Sequence, residues 1–479
     1  MNSTSTPESS EQQNTRGVQT LLGDPKKAII KLAIPMIIAM SLQTVYNLVD
    51  ALWVSGFGAD FFTATSETET GSLALAAIGF ALPFFMMAIA ISTGVGVGTS
   101  SAISRKIGAK DKQGADNIAV HSIIVTLIIA GIFTLILLSF LEPIMTWMGA
   151  SASLQLALEY GRIIFAGSIL IFFVNVALAI LRGEGDATRV MYAMVFGAAL
   201  NIVLDPFFIF TFGLGVAGAA YATVLSMLVT TLILIYWLFF KKNTYVNLSF
   251  KKFRFKAEVL YDIFRVGLPA SFQQLSMSVT MILVFRIIVD LAQAGDYGIA
   301  VYSTGWRVVT IAVLPLLGLA TAIVSVTGAA YGAKDGQKLS TGFFYAVKFG
   351  LVLELIVALF VFVLAPWITL MFTTGEGAEN IATDLERFIK ISCFFYPGAA
   401  FGIASSAMFQ GVGKGLYSLI ATLLRTIILT PILAVVFCCF FSMQLDGVWW
   451  GIVCANLLGS LTSFTWSNIH IAHVKTTFS

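Results

Sequence analysis

Apolar runs long enough to cross a bilayer as helices, about 20 residues each, recur from about residue 28 to about residue 474. Polar breaks between them predict twelve spans, near 28–56, 73–103, 118–141, 155–181, 189–211, 216–240, 260–291, 297–330, 341–370, 381–410, 416–440 and 446–473. The stretch from Met1 to about Asp24 is polar and Ser/Thr/Gln/Glu-rich, without a basic segment leading into an apolar one. It reads as a disordered tail rather than a cleaved signal.

Charge adds direction. Lys26/Lys27, Arg105/Lys106/Lys110/Lys112, Arg182/Arg189, the run from Lys241 to Lys256, Lys334/Lys338, Lys414 and Lys475 fall in alternate breaks. The other breaks carry Asp60, Glu67, Glu69, Glu142, Asp296, Glu376, Glu379 and Asp446. The positive-inside rule then predicts a multi-pass protein of the cell membrane with both termini in the cytosol. Only 11% of the residues are charged, against about a quarter in soluble domains, so a soluble enzyme or a nucleic-acid binder is excluded. The lipid bilayer is the expected surrounding, and the chain is expected to act as a monomer.

The chain also repeats itself. Lys31-Leu-Ala-Ile-Pro35 matches Arg265-Val-Gly-Leu-Pro269, Gly108-Ala-Lys-Asp111 matches Gly332-Ala-Lys-Asp335, and Leu181-Arg-Gly-Glu-Gly185 matches Phe409-Gln-Gly-Val-Gly413. Six spans per repeat is an even number, so both halves insert the same way up, related by an axis along the membrane normal. The expected fold is an all-α membrane protein: twelve transmembrane helices in two pseudo-symmetric six-helix lobes, a 6+6 parallel repeat around a central cavity. The expected parts are a tail (1–24), an N-lobe (25–240), a cytosolic linker (241–258) and a C-lobe (259–479).

Inside this apolar frame, Asp50 and Asp205 stand out. A charged carboxylate within a span is costly, and such groups usually face a cavity and carry ions or protons. Each lies about seven residues short of the outer end of its span; Tyr160 and Thr223 lie about as deep, which puts all four about 10–12 Å below the outer surface. Asn201 precedes Asp205 by one turn, and Asn47 precedes Asp50 by nearly one. Two carboxylates with amide, hydroxyl and phenol oxygens suit Na⁺ or a shared proton. The bland alternatives are a carboxylate serving backbone groups freed by Pro206, and polar residues that merely bridge helices. Pro35 weakens the first span toward its cytosolic end, a place for a bend.

Other polar residues are weaker signals. Gln43, Gln273 and Gln274 are expected to line the central cavity with Asn47. Met86, Met87, Phe84, Phe85, Met277 and Trp306 suit an adaptable, greasy pocket. Arg307 and Glu354 are placed to pair across the second lobe. Gly94-Val-Gly-Val-Gly98 lies within a span and lacks a following Gly-Lys-Ser/Thr, so it predicts a close helix contact rather than a phosphate loop. Arg182, Glu184 and Asp186 form a charged turn, expected as an ion-pair latch. His121, His470 and His473 are scattered, and the four cysteines sit in apolar segments and are expected to be small buried hydrophobes. No catalytic set emerges, so the chain is read as no enzyme, without cofactor.

Gly23-Asp-Pro-Lys-Lys27, Leu32-Ala-Ile-Pro35, Tyr46-Asn-Leu-Val-Asp50, Gly98-Thr-Ser-Ser101, Leu181-Arg-Gly-Glu-Gly-Asp186 and Asn201-Ile-Val-Leu-Asp-Pro206 together resemble the multidrug and toxic compound extrusion (MATE) family. Among its branches the DNA-damage-inducible F type, in archaeal or bacterial form, is most similar. The resemblance spans about residues 20–475. It implies a V-shaped pair of lobes exporting small organic compounds, cationic or amphipathic, in exchange for H⁺ or Na⁺. It also implies an N-lobe cation site at Asp50, Asn201, Asp205 and Thr223, able to hold Na⁺, with Tyr160 nearby. The outer loop near 61–72 is longer than the family pattern. The runner-up is a lipid-linked precursor flippase of the same superfamily, disfavoured by acidic rather than basic residues in the first lobe. A membrane enzyme lacks its catalytic cluster, and a passive channel would not need the repeats and carboxylate pair of alternating access.

Overall fold

The computed structural model describes residues 15–54, 72–151, 153–241, 243–248, 253–373 and 378–478. Met1–Asn14 and residues 61–71 of the long loop between the first two spans lie outside the described residues. The helices of the first half are α1 (Arg16–Leu22), α2 (Pro25–Val54), α3 (Ser72–Gly108), α4 (Lys112–Trp147), α5 (Leu154–Ala166), α6 (Ser168–Gly183), α7 (Ala187–Pro206) and α8 (Gly215–Ile235). Those of the second half are α9 (Ala257–Asp290), α10 (Gly295–Gly332), α11 (Gly336–Phe372), α12 (Ala382–Ser392), α13 (Phe395–Gly411), α14 (Gly415–Leu423), α15 (Thr430–Val435) and α16 (Gln444–Phe478). Among the described residues, ten helical stretches are long and apolar enough to cross a membrane, and counting each bent pair as one span gives the predicted twelve. The bent pairs are α5/α6, at 42°, and α12/α13, at 48°. At the first break, a Cβ on Gly167 would lie 2.6 Å from Val224, so only glycine lets α8 come this close.

The repeated Gly-Ala-Lys-Asp sequence is a helix stop joined to a helix start. Lys110 and Lys334 take left-handed φ values of 56° and 54°. This lets Asp111 N–H reach the Lys106 carbonyl at 2.9 Å and Asp335 N–H the Ala330 carbonyl at 3.0 Å, closing the ending helix. The aspartate side chains then cap the next helix, accepting from Gly114 N–H and Lys338 N–H, each at 2.8 Å. Asp186 caps α7 in the same way through Arg189 N–H at 3.1 Å.

These turns lie on the face that carries the Lys/Arg-rich loops, called the basic face below. There the two halves meet almost backbone to backbone. A Cβ on Gly108 would sit 1.9 Å from the Ala329 carbonyl oxygen, and one on Gly332 would sit 1.9 Å from that of Arg105. In the register of the repeats, Gly108 corresponds to Gly332 and Arg105 to Ala329, so the two contacts are symmetry mates about one axis. The Gly94/Gly98 pair is indeed a helix contact: a Cβ would strike Ser271 Oγ at 1.9 Å and the Ile263 carbonyl at 2.2 Å, on α9. A polar clasp adds to it. Ser101 Oγ donates to the Gln410 carbonyl, and Asp262 takes Arg105 at 3.0 Å and Arg265 at 2.6 Å.

Packing follows the same division. At the basic face one core is shared, with Ile29, Leu32, Met36, Ile103 and Ile107 of the first half against Leu316, Ile323, Met408 and Phe409 of the second. In the opposite half the cores separate. Phe133, Leu137, Phe165 and Phe172 form one; Tyr302, Phe388 and Trp449 form another. Two lobes joined at one end and apart at the other make the V shape. Along the diverging walls Leu82, Met86 and Met277 are exposed, and nothing lies within 4 Å of a Cβ built on Gly79.

Several expectations are corrected here. The segment up to Asp24 was expected to be disordered, yet Arg16–Leu22 is helical, with Thr15 capping Val18 N–H at 3.4 Å. Val18 and Leu21, three residues apart on one face, are buried, and Lys338 Nζ donates to the Leu22 carbonyl at 3.0 Å. Three apolar residues, Val18, Leu21 and Leu22, in a polar stretch were too weak a pattern to predict this. The turn at 182–186 is not an ion-pair latch as a whole. Asp186 pairs with Arg189 at 3.3 Å, whereas Glu184 is buried and accepts from Val246 N–H of the connecting segment at 3.0 Å. Burial pushes the Glu184 carboxyl up to about 8, against the opposing pull of the Val246 amide, with neighbouring Asp186 adding to the rise and Arg189 opposing it. His121 also holds the connection: Nε2 accepts from Lys256 N–H at 3.1 Å, and Phe253 packs on the ring at 4.7 Å. Of the cysteines, Cys393 and Cys438 are buried, Cys454 partly so, and Cys439 is exposed.

Two outcomes are expected. Gly332→Leu forces side-chain volume onto the Arg105 carbonyl, an overpacking of about 1–3 kcal/mol, whereas Gly131→Leu enters open space. Spin-label distances between α4 and α11 at the basic face should lengthen in the first variant and not in the second; unchanged distances in both contradict the closed contact. For Glu184, the folded-state value lies above the unfolded one, so its stabilising share is complete below about 4.5 and lost as pH rises through about 8. Apparent Tm of the wild type should therefore fall from about pH 6 to about pH 9 more steeply than that of Glu184→Gln; parallel curves contradict the assignment.

Candidate cation-binding site

Close packing of α7 on α8 builds the site. A Cβ on Gly197 would meet Thr230 Oγ1 at 2.6 Å, and one on Gly218 would meet the Phe208 carbonyl at 2.5 Å. Between these two contacts Asn201 of α7 faces Thr223 of α8, with Nδ2 to Oγ1 at 3.4 Å. Thr223 Oγ1 in turn donates to the Ala219 carbonyl at 2.9 Å. Asn201 is 2% exposed, Thr223 7% and Asp205 0%. The Asn201 carbonyl oxygen is buried with no hydrogen-bond partner among the described residues. It is thus an acceptor one helical turn from a fully buried carboxyl group.

Pro206 shapes the end of α7. Its ring nitrogen cannot donate to the Ile202 carbonyl, and the helix widens directly after it into a π turn, Phe207–Thr211, closed by Phe212 N–H to the Phe207 carbonyl at 2.9 Å. Such turns recur at functional sites. Phe210 of this turn is buried with Ile209, Val216 and Ala219. Tyr160 of α5 and Trp53 of α2 pack against that cluster, and Trp53 meets the Phe210 ring edge-on at 6.4 Å. The structure therefore brings α2, α5, α7 and α8 together at the level of Asp205. Position 50 lies on α2 about one turn before Trp53, but the side chains of Asp50 and Asn47 lie outside the described residues. Sequence reasoning missed Trp53 and Phe210, apolar residues among many.

The remaining residues fall elsewhere. α2 runs helical without interruption through Pro35. Gln43 and Trp306 are half-buried, and Trp306 stacks on Tyr302 at 5.5 Å. Met86, Gln274 and Arg307 are exposed. Gln273 is enclosed within the second lobe instead of facing the cavity: it donates to Ser418 Oγ at 2.6 Å and accepts from Gln410 Nε2 at 2.9 Å, tying α9 to α13 and α14. The expected pairing of Arg307 with Glu354 is not made. Arg307 is exposed and Glu354 has no exposed surface, because the two side chains leave their helices toward different surroundings. No group of three or more His, Cys, Asp or Glu able to hold a metal occurs among the described residues.

A membrane carrier of two six-span lobes, closed at one face and carrying a buried acidic site in its first lobe, is the class that this geometry defines. The MatE family model matches residues 35–207 and 269–436. The chain therefore belongs to the MatE family; it is a transporter and not an enzyme. It is 26% identical over 440 residues to multidrug export protein MepA of Staphylococcus aureus (strain bovine RF122 / ET3-1), covering 91% of this chain and 92% of that one. It is 46% identical to a MATE protein crystallised in complex with MaL6, with a TM-score of 0.91 over 97% of this chain and 100% of that chain. The outward-facing structure of a multidrug resistance MATE transporter is likewise 46% identical, with a TM-score of 0.90 over 97% of this chain and 99% of that one.

Proposed function

We propose that this chain is a cation-coupled antiporter that exports small organic, multidrug-like compounds across the cell membrane by alternating access. The observation that carries the reading is Asp205, fully buried at the level where Asn201 and Thr223 meet inside the first lobe. Asp50, Asn201, Asp205 and Thr223, with Tyr160 beside them, form the coupling site for H⁺ or Na⁺. The multidrug export relative supports the substrate class. With the basic face in the cytosol, the side that the positive-inside rule favours, the joined end of the V is the inner end and the cleft opens outward. Gln43, Asn47, Met86, Gln274, Trp306 and Arg307 are the candidates to meet substrate there.

The mechanism follows from electrostatics. Acidic groups sharing a low-dielectric layer repel when both are ionised, so one of them takes a proton or a cation from outside. Neutralisation removes the repulsion and lets α2 repack against α7. Pro35 leaves a backbone carbonyl free to re-pair, so α2 can bend there and narrow the first-lobe cavity. Substrate is expelled outward, and cation release to the cytosol resets the site.

Proteoliposomes test this with efflux under an imposed pH gradient and, separately, an imposed Na⁺ gradient. One of the two should drive export, and Asp50→Asn and Asp205→Asn should each lower the driven rate by about 5- to 150-fold, the usual range of coupling energies. Wild-type rates in both variants remove the proposal.

A further inference from the structure

A second acidic group lies inside the spans, far from the site above. Glu354 of α11 has no exposed surface, and neither Oε1 nor Oε2 has a hydrogen-bond partner among the described residues. On the facing helix α13 the hydroxyl of Tyr396 is also buried without a partner. Helix register brings the two together. A Cβ on Gly350, one turn before Glu354, lies 3.8 Å from the Cβ of Ala400, one turn after Tyr396, and the Tyr396 phenol lies within electrostatic reach of Glu354.

Among the described residues no cation pairs with this carboxyl. Cys393 is the other titratable group beside Tyr396. Lys390 of α12 is occupied by Glu386 at 2.6 Å and lies over the Phe362 ring. From α10 the adjoining core presents Val309 and Ala312, and from α16 it presents Trp449 and Ile452; Asn456 spends its amide on the Phe395 carbonyl at 2.8 Å. α2 approaches α11 nearer the basic face, where Pro25 meets Gly342. The repeat shows that the fold does not need an acid here. In the register set by the two Gly-Ala-Lys-Asp motifs, Glu354 takes the place of Ala130, which is also fully buried. A costly group present in one repeat and absent from its twin calls for a use. Two carboxyl oxygens and one phenol are too few for Na⁺, which leaves the proton.

We propose that Glu354 is a proton-binding site of the second lobe, holding its proton while α11 and α13 are closed around it and releasing it to water when they part. The 48° break between α12 and α13, less than one turn before Tyr396, is where the helices can part. Proton binding here stands on the burial of Glu354 alone; only its place in a transport cycle rests on the antiport reading.

Infrared difference spectra of the full-length protein in lipid nanodiscs, stepped from about pH 5 to about pH 10, test it. Wild type should show the carbonyl stretch of a protonated carboxyl that fades as pH rises. Asp205→Asn should keep a fading component that Glu354→Gln loses, and Glu354→Asp should retain one at a shifted frequency, which guards against misfolding of the glutamine variant. The idea is overturned if Glu354→Gln folds and matches wild type, if the Glu354 component does not fade at any pH, or if Glu354→Asp folds and shows no such component. Normal efflux in Asp205→Asn with this component intact would sink the antiport reading and spare this one.

Discussion

A carboxyl group inside a membrane protein must be neutralised, hydrated or matched by a cation, because a bare charge in low dielectric is too costly to keep. That constraint organises the first lobe. Gly197 and Gly218 draw α7 onto α8, so that Asn201 and Thr223 meet beside Asp205, and Pro206 opens the helix end where Phe210 receives Trp53 and Tyr160. Each of these features weakens helix regularity or admits polarity into an apolar layer. On the proposed antiport reading they are the surroundings of one acid whose charge state changes.

A change of charge moves the lobes only if something holds them in discrete arrangements. The basic face supplies this. Gly108 and Gly332 allow two helix ends to cross at backbone distance about the repeat axis, and a shared core with the Ser101, Arg105 and Asp262 clasp closes over the crossing. The opposite halves keep separate cores and can move as units. Backbone contacts of this kind are made or broken rather than stretched, since packed interfaces have few intermediate states.

Much of this was legible in the chain. Twelve spans followed from hydropathy, and the repeated Gly-Ala-Lys-Asp proved to be turn chemistry, with lysine left-handed and aspartate capping the next helix. That Asn201 and Thr223 lie at nearly the same depth followed from their places along two helices, and that they share one site came from the family resemblance. Features set by packing between distant segments were not legible. The break at Gly167 depends on how α8 approaches, the short helix at Arg16–Leu22 depends on the surface it covers, and Gln273 is enclosed by serines from α13 and α14. Arg307 and Glu354 could be placed by depth but not by azimuth, so their opposite exposures were hidden until the helices were packed.

The most direct measurement is proton counting on substrate addition. Lightly buffered, purified protein in nanodiscs, mixed with a transported dye at low Na⁺ and again at high Na⁺, should release protons at low Na⁺ if the first-lobe acids hold them, and Asp205→Asn should release fewer. If Na⁺ is the coupling ion, dye binding should instead displace bound Na⁺ in wild type and not in Asp205→Asn. Dye binding that displaces neither ion, or displaces as much from Asp205→Asn as from wild type, would contradict the account.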